Sequence, residues 1–284
     1  MKKIAGYQNT TLRKIIIFIT NLFANILFLK KNSEYSNEFY QLLNKHLKKK
    51  IIFDGKEIVF KTGHNRLNNR FEKFFEEEPL LINWIKKFSS NDVFLDIGAN
   101  VGSYSIAALS KGSTVYSIEM DLNNSAVLFE NVFLNKFYER SVILPFGVGS
   151  KDKLEKIFYR DFTVGDCLQS IGREAQIPTL KRNPFETNQP IFSLDNLFKN
   201  FSLKQPNKIK IDVDGNERFV FDGGKNVIMN ADEIYYEDIG SEEDKIVIDT
   251  ILKNNFYIVS EIPATNKLEG RNDRNILFKK KNKN

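Results

Sequence analysis

A doubly wound α/β domain on a mostly parallel sheet is the fold class that this sequence predicts. Three observations carry the expectation. From Asp92 onward, short apolar runs rich in strand formers alternate with segments of helical period, the pattern of strand–helix–strand units. One such run, Val93–Ile97, passes through Gly98 and Gly102 directly into a helix-forming segment at Ser103. The composition of the 284 residues, 42% hydrophobic and 27% charged, suits a chain that buries a large core and excludes disorder of the whole.

Along the chain, residues 1–33 form an apolar, amphipathic arm. Arg13 and Lys14 precede a run from Ile15 to Leu29 that ends at Lys30 and Lys31. The run is shorter than the ~20 residues of a spanning helix, and Asn21 and Asn25 fall on one helical face with Lys14. This predicts a peripheral membrane contact over residues 13–31, with packing on the protein itself and a true membrane span as the alternatives. No small-residue cleavage site follows the run, so a cleaved leader is not expected, and the expected location is cytoplasmic, at the inner face of the membrane.

Residues 34–90 read as a helix and hairpin extension. Glu38–Lys50 looks helical, Ile51–Phe53 and Ile58–Phe60 flank an Asp54-Gly55 turn, and Phe71–Phe88 carries apolar residues at helical spacing. Residues 91–279 form the main domain. Strands are expected at Val93–Leu95, Thr114–Ile118, Val142–Pro145, Lys208–Ile211, Glu233–Tyr236, Tyr257–Ser260 and Asn275–Phe278. Helices are expected at Ser103–Ser110, Ser125–Asn135, within Arg218–Asn230, and at Glu243–Asn254. Residues 151–190, with Pro178, Pro184 and Pro190, read as an irregular insertion suited to substrate contacts. Residues 280–284 are a basic tail.

The chemistry concentrates at the expected strand ends. Asp96 stands two positions before Gly98, where a pyrophosphate of a nicotinamide or flavin dinucleotide would be repelled. The sulfonium and ammonium of S-adenosylmethionine would be attracted there instead. Glu119, at the tip of the second strand, is placed to accept the hydroxyls of an adenosine ribose, although a helix-capping role is open to it as well. The loop Phe146–Asp152, with Gly147, lies where an adenine ring would sit or is a plain turn. Asp212, Asp214 and Glu217 follow the Lys208–Ile211 run, and three acids so close together need a cation nearby. Lys210, the ligand's own positive charge or a metal could serve, although Asp214-Gly215-Asn216 also reads as a plain turn with a helix cap. The single Cys167 excludes a disulfide framework, His46 and His64 supply a histidine metal site poorly, and no resident metal is expected.

Three blocks in order, Asp96–Gly102, Phe192–Leu197 and Lys210–Glu217, resemble the FkbM-type methyltransferases, over about Phe71 to Phe278. Phe75–Pro79 is similar to the usual lead-in. The resemblance implies a class I methyltransferase (Rossmann-like) fold with a seven-stranded sheet ending in a reversed strand pair. It also implies S-adenosyl-L-methionine as methyl donor and transfer to a hydroxyl, often on a sugar of a surface glycan or on a natural product. Carried over by position, Asp96, Gly98, Asn100, Gly102 and Glu119 bind the donor, and Lys210, Asp212, Asp214 and Glu217 belong to the active site. Where the family usually has glutamate this chain has Asp214, one methylene shorter.

Asp212 is expected to act as base or acceptor-orienting group, with Lys210 holding its charge; His64 is the other ordinary base within reach. The expected partner is a glycan or small-molecule acceptor. The net charge of +6, from 42 basic and 36 acidic residues, does not amount to a nucleic-acid surface. Two rivals remain: a nicotinamide-dependent sugar-modifying enzyme, which would show an acid-free phosphate turn and a Tyr-x-x-x-Lys base, and a non-catalytic membrane-surface or glycan-binding protein on the same fold.

Overall fold

The computed structural model describes residues 47–63, 65–159, 162–165, 170–172, 185–264 and 273–282, with helical positions 14, 15, 18–20, 22, 38 and 42 ahead of them. His64, Cys167, most of the arm and most of the expected Glu38–Lys50 helix lie outside the described residues. The end of that helix is corrected, because Lys48–Lys50 already belong to a strand. Residues 1–48 form one compact unit and residues 49–284 another.

β1 (Lys48–Phe53) and β2 (Lys56–Lys61) make the expected hairpin. Asp54 and Gly55 take φ of 47° and 78° at its tip, the left-handed pair that a two-residue turn requires. The helix expected over Phe71–Phe88 is instead three short ones: α1 (Asn65–Glu72), α2 (Phe74–Glu77) and α3 (Pro79–Ile85). Pro79 causes the second break, since the residue before a proline is driven out of the helical region; Glu78 sits at φ −135°, ψ 73°.

The main domain then follows as β3 (Val93–Ile97), α4 (Ser103–Ser110), β4 (Thr114–Ile118), α5 (Leu122–Leu134), β5 (Ser141–Leu144), β6 (Gly147–Val148), β7 (Lys153–Tyr159), β8 (Ser170–Ile171), β9 (Phe185–Phe192), α6 (Leu194–Asn200), β10 (Lys208–Ile211), α7 (Glu217–Gly223), α8 (Lys225–Met229), β11 (Glu233–Asp238), α9 (Glu242–Lys253), β12 (Phe256–Pro263) and β13 (Arg274–Lys280). Seven strands form one sheet in the order β12-β13-β11-β10-β3-β4-β5. β13 runs antiparallel to both neighbours, while the β10, β11, β3, β4 and β5 pairings are parallel. The late strands thus supply the sheet's expected reversed end.

Chain order reverses between β3 and β10, and ligands of open α/β sheets bind in the crevice beyond such a switch point. Two apolar cores cover the two faces. The hairpin with α1 to α5 fills one, around Phe60, Phe74 and Trp84; α6 to α9 fill the other, around Leu194, Phe221 and Ile248.

The insertion over 151–190 is not irregular in its described parts. β7, β8 and β9, with β6, form a four-stranded sheet of order β6-β9-β7-β8. Pro190 pairs with Leu154 in it and is exposed, with Gln189 and Ile191 buried on either side. A proline is tolerated in a sheet where its missing N–H is not needed, so Pro190 does not make the expected break in the strand.

Candidate active site at the switch point

Strand register builds the site in two rows. Asp96 pairs with Ser117 on one side and Lys210 on the other, and Lys210 pairs with Tyr235, itself opposite Leu277. Side chains repeat with a period of two, so one step further along the sheet, two residues later on the parallel strands and two earlier on antiparallel β13, the same face carries Glu119, Gly98, Asp212, Glu237 and Asn275. That upper row lines a cavity of about 360 Å³, within the usual size of small-molecule sites. The lower row is buried beneath it, with Asp96 at 0% and Lys210 at 1% exposure.

Of the residues singled out in the sequence, Gly98, Asn100, Glu119, Gly147, Lys210, Asp212 and Asp214 border the cavity. Asp96, Gly102 and Glu217 do not. Asp96 Oδ2 accepts a hydrogen bond from Ser105 Oγ at 2.6 Å, and its Oδ1 faces Lys210 Nζ at 3.4 Å. Asp96 therefore stands behind the cavity lining, paired with Lys210. Gly102 has φ 82° and begins α4, where a Cβ would lie 2.1 Å from Leu128 of α5; the glycine serves helix packing rather than the crevice. Glu217 is 1% exposed, and its Oε1 accepts from the backbone N–H groups of Val213 (3.0 Å) and Gly215 (3.2 Å). It staples the loop that carries Asp214 from below, and burial pushes its pKa up to about 8.

Gly98 is needed for a close approach. Its φ is 81°, and a Cβ there would stand 1.8 Å from the Asp212 carbonyl oxygen. The β3 and β10 loops touch backbone to backbone at that point. Asp214 has φ 55°, a left-handed position that aspartate tolerates better than most residues.

The electrostatics follow from packing. Lys210 Nζ stands 2.8 Å from Asp212 and donates to the Gly98 carbonyl at 3.3 Å. Burial opposes its charge, but Asp212, Asp96 and Glu78 outweigh that and raise its pKa. Asp212, 25% exposed, is held ionised: desolvation works against it, yet Lys210 and hydrogen bonds from Glu237 and Lys210 keep its pKa below the usual carboxylate range. Glu237 shows the converse. The negative charge of Asp212, then burial, drive its pKa well up, so that it carries a proton and donates it to Asp212.

Glu119 accepts from the Asn100 N–H (2.8 Å, Oε2) and the Asp121 N–H (2.7 Å, Oε1), while burial lifts its pKa to about 7. Each oxygen keeps a lone pair for a further donor.

Several lining residues were not singled out as site residues in the sequence: Arg70, Glu77, Glu78, Tyr104 and Glu237 among them. Glu78 Oε2 accepts from Tyr235 Oη at 2.9 Å, and burial, then Asp212, push its pKa to about 7. The signal for Glu78 was the Glu-Pro pair, which frees a residue from its helix. Glu237 falls just beyond the expected Glu233–Tyr236 strand, where the apolar pattern stops.

Seven lining carboxyl groups (Glu77, Glu78, Glu119, Asp212, Asp214, Glu237, Asp273) face two lining cations, Arg70 and Lys210. Glu237 carries a proton and burial lifts Glu78 and Glu119 to about 7, so the negative charge is smaller than that count. The ionised Asp212 at the wall still repels a pyrophosphate and attracts a sulfonium with an ammonium. The residues present therefore fit S-adenosylmethionine: Glu119 for the ribose hydroxyls, the loop of Gly98 to Asn100 for close backbone approach, and the acid-bearing loop that follows β10 for the cationic end.

Comparison with known proteins adds the following. The family model described as "Methyltransferase FkbM domain" matches residues 96–257. Among solved structures, the FkbM methyltransferase from Methylobacillus flagellatus KT is similar at 15% identity, covering 74% of this chain and 47% of that one, with a TM-score of 0.46. A tRNA methyltransferase from M. jannaschii is similar at 16% identity, covering 84% of this chain and 55% of that one, with a TM-score of 0.46. The chain thus spans about half the length of each. No curated protein matches it in sequence.

Proposed function

The chain belongs to the FkbM-domain methyltransferases, which use S-adenosylmethionine, and from that premise we propose that it methylates a hydroxyl of a sugar in a surface glycan or a related metabolite. The observation that carries this reading is Asp212: an ionised carboxylate at the cavity wall, 25% exposed, its charge held by Lys210 at 2.8 Å. Such a group can take a hydrogen bond from a neutral acceptor hydroxyl and receive its proton.

When bound, S-adenosylmethionine supplies an electrophilic methyl carbon on a cationic sulfur. Glu119 would hold the ribose and Gly98 the close approach at the turn. Asp212 orients the acceptor oxygen and accepts its proton. Glu237, neutral and hydrogen-bonded to Asp212, keeps a second negative charge away from it, and the acceptor's proton ends on Asp212. Lys210 keeps Asp212 ionised beforehand and stays charged throughout. Alignment of acceptor and methyl carbon is the larger part of the catalysis.

Supporting an O-acceptor is the supply of carboxylates able to bind and deprotonate hydroxyls. Residues 13–31 would bring the enzyme to a membrane surface where lipid-carried glycans are built. No helix among the described residues is long and apolar enough to cross a membrane.

The test is transfer of labelled methyl groups from S-adenosylmethionine to a panel of free and lipid-linked glycans, with the methylated position read by NMR. Asp212→Asn should lower kcat by about 10²- to 10⁴-fold while S-adenosylhomocysteine still binds. Normal turnover by that variant would remove Asp212 from the mechanism.

A further inference from the structure

The donor of a methyl transfer has an amino-acid end that is itself zwitterionic, and the acid-rich wall of this cavity accounts only for its ammonium. Its α-carboxylate needs a cation, and two cations line the cavity. Lys210 is already engaged by Asp212 at 2.8 Å and Asp96 at 3.4 Å, and is 1% exposed. Arg70, on α1, differs. Its Nη2 donates to the Gly165 carbonyl at 3.2 Å, but its Nε is buried with no hydrogen-bond partner. A buried N–H of a guanidinium left unmatched is costly, and Arg70, which borders the cavity, keeps donor capacity that Lys210, held by two carboxylates, does not. Arg70 also acts electrostatically on Glu77, Glu78, Tyr104 and Asp212, which places its charge at the acidic end of the cavity rather than at Glu119.

We propose that Arg70 binds the α-carboxylate of the methyl donor, so that α1, which lies ahead of the segment matched by the family model, completes the donor site. This rests on the methyltransferase reading. Glu78, freed from helix by Pro79, also lines the cavity and feels the Arg70 charge, so a base and an acid stand together for the two ends of a zwitterion. The guanidinium offers a fork of donors that a carboxylate can meet with both oxygens.

The test is calorimetry, without any acceptor, using two ligands: S-adenosylhomocysteine, which carries the amino-acid end, and 5′-methylthioadenosine, which lacks it. Arg70→Ala should weaken S-adenosylhomocysteine binding by about 10- to 100-fold, the range for a lost charge-assisted hydrogen bond. Its affinity for 5′-methylthioadenosine should stay within about twofold, which also reports a folded site. Arg70→Lys, keeping the charge without the fork, should recover part of the loss. An equal loss for both ligands, or no loss for either, overturns the assignment; the second result would leave Arg70 for an anionic group on the acceptor. A wild-type protein that binds neither ligand would instead sink the methyltransferase reading, so the two failures are distinguishable.

Discussion

Taking an ammonium group out of water costs several kcal/mol unless partners surround it, and Lys210, 1% exposed, has Asp212 and Asp96 within 3.4 Å. The pair of carboxylates is what allows the lysine to be buried, and the lysine in turn keeps Asp212 ionised next to the protonated Glu237. Glu217 makes the opposite bargain, buried with backbone donors only. Its folded pKa of about 8 exceeds the ordinary 4.5, so the native state binds more protons than the unfolded chain between those values. Stability therefore falls as pH rises from about 4.5 through 8. Glu217→Gln removes that titration while keeping an acceptor oxygen for Val213 and Gly215. The melting temperature of the variant minus that of the wild type should grow from pH 5 to about pH 8 and level off above it; a difference that is flat with pH would show that Glu217 is charged in the fold.

At the scale of elements, the N-terminal helices matter more than their length suggests. α1 and α2 lean on the hairpin: Phe60 of β2 stacks on Phe71 with ring centroids 4.4 Å apart, and Phe74 meets both Phe53 and Phe60 at 6.0 Å. The hairpin is tied to α5 by Asn131 and Asn135, whose side-chain oxygens accept from the Lys61 and Val59 N–H groups at 2.7 and 2.8 Å. Phe60→Ala, at a fully buried position, should lose about 3–5 kcal/mol of stability, read by urea unfolding. In the folded fraction, S-adenosylhomocysteine should bind more weakly, because α1 would no longer hold Arg70 at the cavity. An unchanged unfolding midpoint would show that the hairpin does not support the core.

For the whole molecule, the excess of acids in the crevice decides which nucleotide ligand is accepted. S-adenosylhomocysteine at a hundred times its dissociation constant should stabilise the protein by about 2.7 kcal/mol, visible as a rise in melting temperature. NAD at the same concentration should leave the melting temperature where it is, since its pyrophosphate would sit among carboxylates. The reverse pattern would overturn the assignment of this crevice to a cationic donor.

Strand and helix existence, the parallel order and the acids at the tips of β3, β4 and β10 were legible in the sequence, because apolar period and glycine turns are local properties of the chain. Asp54-Gly55 read correctly as a hairpin turn for the same reason. The four-stranded insertion sheet was not legible: its strands are half exposed, and Pro190 interrupts the pattern that would mark them. Nor could the sequence separate Asp212, at the cavity wall, from Glu217, buried under it, since both follow the same strand. The turn after Asp212 made that separation by folding Glu217 back under the Val213 and Gly215 N–H groups. Register across β4, β3, β10, β11 and β13 lined up Glu119, Gly98, Asp212, Glu237 and Asn275 and dropped Asp96 and Lys210 one row below. Local order along a chain determines which segments become strands and helices; which side chain faces a ligand depends on neighbours far apart in sequence, and only packing brings Arg70, Glu78 and Glu237 to the same wall.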